Sequence, residues 1–187
     1  MRIISGQLKG KKIFEPSDKN TRPLKDLTKE SIFNIIQHSN KFNLNLEASN
    51  VLDLFSGVGS FGLEALSRNA NFITFVENYK NVIKVLKKNI KNLDLDNKCK
   101  IIEKDILNDF NSLKFEQKFD LIFIDPPFKE KKIKSLLIKI FNSKILQSNG
   151  VLIIHRNSKE IDNFPDEMNI LEQKTYGISK IFFCNFD

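Results

Sequence analysis

"VLDLFSGVGSFGLEALS" spans Val51–Ser67, and its reading decides the fold. Apolar residues run into a turn carrying Gly57, Gly59 and Gly62, after which Leu63, Leu66 and Ala70 recur at helical spacing. A strand, a glycine turn and a helix in that order open a Rossmann-like unit. Its glycines let backbone N–H groups at a helix N-terminus approach a ligand. Gly57-x-Gly59-x-x-Gly62, with Glu77 about 20 residues further on, matches the dinucleotide fingerprint. Two details argue against a pyrophosphate. Asp53 sits inside the strand end, where a carboxylate would repel phosphate but can pair with an ammonium group. The first glycine comes four residues after that acid, directly preceded by Phe55 and Ser56.

Outward from this stretch, strand and helix alternate. Residues 50–55 read as a strand and 59–70 as a helix; 72–77 and 80–93 repeat the pair. Residues 99–105 and 119–125 are strands, 131–144 a helix and 150–156 a strand. This predicts a doubly wound, mostly parallel sheet with right-handed crossovers. Residues 169–176 and 179–186 are two strands joined through Gly177, and so tight a turn permits only antiparallel pairing. The expected class is therefore α/β, a seven-stranded sheet with a C-terminal antiparallel hairpin. Ahead of it, residues 2–14 read as two short strands around a glycine turn and 15–23 as a polar loop. Residues 24–39 read as a helix, with Asp26 as N-cap and Leu27, Ile32, Ile35 and Ile36 on one apolar face. Residues 1–40 thus form a basic appendage and 41–187 the main domain.

At 187 residues the chain can bury one ordinary core. No stretch suits a signal peptide or a membrane span, so a cytoplasmic protein is expected. Cys99, Cys184, His38 and His155 share no metal-ligand spacing; both cysteines read as small buried hydrophobes, and no metal is expected. The net charge of +7 and the pI of about 9.3 suit a polyanionic partner. Abundant Lys, Asn, Ile and Phe without Trp is also what AT-rich coding produces, so charge alone does not settle the partner. Lys9, Lys11, Lys12 and Arg22 in the appendage, and Lys129 near residue 128, are the candidate phosphate contacts.

Ligands in such sheets bind beyond the carboxyl ends of the strands. The glycine loop, Glu77, Asp105 and "DPPF" (Asp125–Phe128) all stand there. Glu77 can accept from ribose hydroxyls, and Asp105 from an adenine amine with Ile106 packed on the ring. Nicotinamide dinucleotides and S-adenosylmethionine both carry a ribose, so Glu77 does not choose between them. DPPF does. Its prolines fix φ twice and remove two donors, leaving carbonyls free to accept. Asp125 and the Pro126 carbonyl can both accept from an exocyclic –NH2, while Phe128 stacks on the base. Such a grip draws the amine's lone pair out of conjugation. A nicotinamide enzyme has no use for it, whereas an amino-methyltransferase consuming S-adenosylmethionine and releasing S-adenosylhomocysteine does.

At these residues the chain resembles the S-adenosylmethionine-dependent methyltransferases with an (N/D)-P-P-(Y/F) motif, and more closely the RsmD family. "MRIISGQLKGKKI", "TRPLKD…SIFNI", "VLDLFSGVGSFGLEALSR", "FDLIFIDPPF" and "YGISKIFF" stand in that family's order and spacing. The N-terminal pieces discriminate, because the other motifs are shared with DNA- and protein-methylating relatives. The resemblance implies methylation of guanine N2 in 16S rRNA of the small ribosomal subunit or its assembly intermediate. It implies Asp125, Pro126 and Phe128 as catalytic, and Asp53, Ser56, Gly57, Gly59, Glu77, Asp105 and Ile106 as cofactor-binding. Phe128 stands where the family commonly has Tyr, which keeps the stack and loses a hydroxyl. A monomer is expected of an enzyme that must reach into a large particle. The same crevice would serve a DNA adenine-N6 methyltransferase, although the chain has little room for a base-reading region. A non-catalytic RNA-binding protein retaining the fold would show decay of DPPF, which is intact.

Overall fold

The computed structural model describes residues 1–16 and 24–186. Its strands are β1 (Asn50–Leu54), β2 (Phe72–Glu77), β3 (Cys99–Glu103), β4 (Phe119–Ile124), β5 (Leu146–Asn157), β6 (Met168–Tyr176) and β7 (Ser179–Phe186). Its helices are α1 (Asp26–His38), α2 (Ser60–Ser67), α3 (Lys80–Asn92), the single turn α4 (Ile106–Asp109) and α5 (Ile133–Ser143). Strand alternation sends successive side chains to opposite faces. Leu121 and Phe123 of β4 join Val51, Ile73 and Phe75 in one apolar cluster, while Ile122 and Ile124 join Leu52 and Leu54 in a second. Both faces of the sheet are thereby covered, as burial of parallel strands requires.

The seven strands lie in the order β3-β2-β1-β4-β5-β7-β6. β3 to β5 pair in parallel, β7 runs antiparallel to β5, and β6 antiparallel to β7. The expected sheet and its terminal hairpin are both present. From β1 the chain winds one way to β2 and β3, then returns to β1's other side for β4 and β5. The order reverses between β1 and β4, and the diverging crossovers open a crevice at their carboxyl ends.

Helix α2 is buried along its whole length. Phe61 stacks between Phe33 of α1 and Phe123 of β4, with ring centroids 4.9 and 3.8 Å away. Gly62 makes the close approach possible, since a Cβ there would lie 2.4 Å from the Phe75 ring. The helix stops at Ser67, short of the expected residue 70, because Asn69 turns left-handed at φ 73°. β3 also ends early, at Glu103, and α4 begins at Ile106.

Two expectations for the N-terminal region need correction. The hairpin reduces to one antiparallel bridge, Arg2 to Lys12, around turns. In α1, Lys25 rather than Asp26 is the N-cap, Leu27 is 79% exposed, and the buried positions are Thr28, Lys29, Ile32, Phe33 and Ile36. The face is rotated because a lysine finds partners inside. Lys29 Nζ donates to the Arg2 carbonyl (3.0 Å) and Ser60 Oγ (3.2 Å), and lies 3.6 Å from Glu64 Oε2. Burial pulls its pKa below the usual lysine value, against the opposing pull of Glu64 and Asp26. Glu64 is equally buried and accepts from the Ile4 and Ser5 N–H groups (2.7 and 2.9 Å) and from Arg68 Nε (2.9 Å). Ile3 and Ile13 belong to the same apolar cluster as α2 and the sheet. Cys184 is buried and Cys99 half-buried; burial pushes their thiols up to about 12 and about 11.

Candidate active site

The crevice at the β1–β4 reversal is a cavity of about 730 Å³, within the range of small-molecule sites. Asp53, Phe55, Ser56, Gly57 and Val58 line it from β1 and the loop after it, and Glu77 and Tyr79 from the end of β2. Asp105 and Leu107 follow from β3, then Asp125, Pro126 and Phe128 from β4, and His155 from β5. Four strand ends therefore converge on one space.

The glycine loop folds by left-handed backbone at Phe55 (φ 58°), Gly57 (56°) and Gly59 (83°). Glu77 clamps it. Oε2 accepts from Gly57 N–H (2.8 Å), and Oε1 accepts from the Asn78 and Tyr79 N–H groups (both 2.9 Å). Gly59 is the N-cap of α2 and is not among the lining residues; it donates to the Ser56 carbonyl at 2.8 Å. Its part is the turn, and Val58 faces the space.

Asp53 is 1% exposed, and its one hydrogen bond comes from Gly62 N–H at 3.1 Å. Burial raises its pKa well above the ordinary aspartate value, and the charges of Asp125 and Glu77 raise it further. A buried carboxyl at a cavity wall without a cation is a site for one. Asp105 caps α4: Oδ1 accepts from Leu107 N–H (3.0 Å) and Oδ2 from Asn108 Nδ2 (2.7 Å). Ile106, expected against an adenine ring, is instead 2% exposed in the cluster with Leu52 and Ile122. Leu107 takes the cavity position, because the first turn of α4 rotates Ile106 toward the sheet.

Asp125 leaves β4 with its side chain 20% exposed, and its N–H donates to the Leu54 carbonyl at 3.3 Å. One partner had no counterpart in the sequence reading. His155 Nδ1 lies 2.8 Å from Asp125 Oδ1, and the imidazole meets the Phe128 ring edge-on at 5.4 Å. Next to it, buried Arg156 donates through an Nη group to the Glu130 carbonyl (3.0 Å) and through Nε to Asp162 (2.6 Å). The end of β5 thus underpins the DPPF loop. A signal existed: Ile124 pairs with Ile154, so the polar residues after "LIFI" and "VLII" are neighbours.

The N-terminal segment also reaches the cavity, through Met1, Pro16 and Leu24. Lys9, Lys11 and Lys12 are exposed on its turns, and Lys129 is exposed beside Phe128. Arg22 lies outside the described residues. No group of side chains able to hold a metal occurs among the described residues.

With this geometry in hand, comparison with known proteins is decisive. A family model described as conserved hypothetical protein 95 matches residues 1–185. The chain belongs to this family. That membership bears out the resemblance to the RsmD family. Members similar to it include the Haemophilus influenzae ribosomal RNA small subunit methyltransferase D, 32% identical over 95% of this chain and 90% of that protein. The protein of the same name from Buchnera aphidicola of Acyrthosiphon pisum is 34% identical over 92% and 86%. The Escherichia coli protein yhhF superposes with a TM-score of 0.82 over 100% of this chain and 98% of its own, at 23% identity. A solved Haemophilus influenzae family structure, HI0767, superposes at 0.74 over 98% and 96%, at 30% identity.

Proposed function

We propose that this family member transfers the methyl group of S-adenosylmethionine to the exocyclic N2 amine of a guanine in 16S rRNA of the small ribosomal subunit. The observation that carries the reading is one crevice joining Asp125 and Pro126 to the glycine loop and to the cation-seeking carboxyl of Asp53. The residues fit the donor. Asp53 suits its ammonium group, the α2 N-terminus its carboxylate, Glu77 its ribose, and Asp105 with Leu107 its adenine. When bound, S-adenosylmethionine supplies an electrophilic methyl carbon.

The chain's own part is alignment. Asp125 and the Pro126 carbonyl accept from the amine and Phe128 stacks on the base. Holding nitrogen, carbon and sulfur in line contributes roughly 7–11 kcal/mol toward the barrier. A base must be unstacked to enter such a crevice, which costs least in a loop. Residues 1–40 act as the RNA-contacting appendage, with Lys9, Lys11, Lys12, Arg22 and Lys129 on phosphates, and the enzyme works as a monomer. The names of the two relatives support an rRNA substrate.

The test supplies labelled S-adenosylmethionine with unmodified small subunits, naked rRNA and DNA in turn, followed by nucleoside digestion. Label in N2-methylguanosine from the small subunit or its rRNA is expected. Label in N6-methyladenosine from DNA, or none anywhere, overturns the reading.

A further inference from the structure

The buried imidazole of His155 has no part in the scheme above. Its side chain is 6% exposed, and Nδ1 sits 2.8 Å from Asp125 Oδ1. A carboxylate only accepts, so Nδ1 carries the hydrogen, and in the neutral ring Nε2 is then a bare acceptor. Nε2 is buried and has no hydrogen-bond partner among the described residues, although the side chain lines the cavity. A buried acceptor left unmatched costs stability, so its retention at a cavity wall points to a partner that arrives with the substrate.

We propose that Asp125 and His155 act as a dyad in which Nε2 takes the proton that the substrate amine sheds during methyl transfer. The inference rests on the methyltransferase reading and names the proton's destination. An exocyclic purine amine is a weak nucleophile because its lone pair is delocalised into the ring. As nitrogen bonds to the methyl carbon, the carbon–sulfur bond breaks with its electron pair on sulfur, leaving a neutral thioether. The nitrogen's N–H bond breaks toward Nε2, leaving a neutral methylated amine and an imidazolium. Asp125 Oδ1, already bonded to Nδ1–H, stabilises that cation, and water collects the proton after product leaves. The other Asp125 oxygen and the Pro126 carbonyl stay available for the amine's orientation.

Asparagine and alanine at 155 separate the roles. His155→Asn places its amide nitrogen near Nδ1, keeping a donor for Asp125 and removing Nε2. Both variants are expected to bind S-adenosylhomocysteine like the wild type by calorimetry. Turnover should fall about a hundredfold with KM little changed, and added imidazole should restore part of it in His155→Ala. In ¹⁵N NMR of the unliganded wild type at pH about 8, above the usual histidine range, His155 should show hydrogen on Nδ1 and a bare Nε2. Turnover of His155→Asn within threefold of the wild type, or a hydrogen on Nε2, overturns the dyad. Should His155→Ala fail to fold, the near-isosteric asparagine and the NMR signature still decide. Wild-type protein that transfers no methyl group defeats the methyltransferase reading itself; wild-type transfer matched by His155→Asn defeats only the dyad.

Discussion

Asp53 and Asp125 face one cavity with opposite needs. Asp53 is sealed against Gly62 and seeks a cation, whereas Asp125 is partly exposed and braced by His155. Because burial raises the Asp53 pKa, the folded chain holds that proton more tightly than the unfolded chain. The associated stability is complete below the ordinary aspartate value of about 3.9 and is lost as pH rises through the raised folded value. Asp53→Asn keeps an acceptor for Gly62 N–H without a charge. Its unliganded melting temperature should exceed the wild type's at pH 7–8 and converge with it toward pH 4. Calorimetry should show its S-adenosylhomocysteine affinity reduced about tenfold or more, the scale of one charged hydrogen bond. Asp125→Ala should bind S-adenosylhomocysteine normally while methylation falls about 10²-fold or more, read by single-turnover transfer. The two acids were legible because each ends an apolar run beside a turn. His155 was not, because its partner is a residue of another strand and nothing in "GVLIIHR" marks it as polar by design.

Among the elements, α2 concentrates the constraints. It carries the glycine loop at one end, lies flat on the sheet through Gly62, and receives the N-terminal segment through Glu64. Gly62→Ala would drive a methyl group into the Phe75 ring and Ile73, and overpacking of this kind costs about 1–3 kcal/mol. Urea denaturation should show that loss, and a midpoint equal to the wild type's would mean the helix can retreat freely. Glu64→Ala would leave the Lys29 ammonium buried beside two unmatched backbone donors. A loss of about 3–5 kcal/mol is expected for breaking a buried pair from one side. The Glu64→Ala, Lys29→Met double variant should recover part of that loss in the same denaturation series. Element identity was readable from period and punctuation. The face of α1 was not, because Lys29 reads as solvent-facing until Glu64, Ser60 and the Arg2 carbonyl surround it.

For the whole molecule the expected consequence is electrostatic. A charge of +7 on a chain that docks on RNA phosphates should make affinity fall steeply with salt. The log–log slope for small-subunit RNA should reach roughly 0.7 per phosphate contacted, and neutralising Lys9, Lys11 and Lys12 together should flatten it in proportion. Filter binding across a salt series reads both; a slope unchanged by the triple substitution would remove those lysines from the interface.

Local chemistry along the chain was enough to specify the alternation of strands and helices, the glycine turn, the proline-fixed acceptors and the antiparallel ending. Each of these follows from residue period, from a φ restriction or from a lost donor, and none needs a distant partner. Tertiary structure alone decided which carboxyl groups are sealed, which face of α1 turns inward, and that His155 meets Asp125. Burial and pairing depend on what the sheet order brings alongside, and strands that touch through β4 and β5 are separated along the chain by a whole helix.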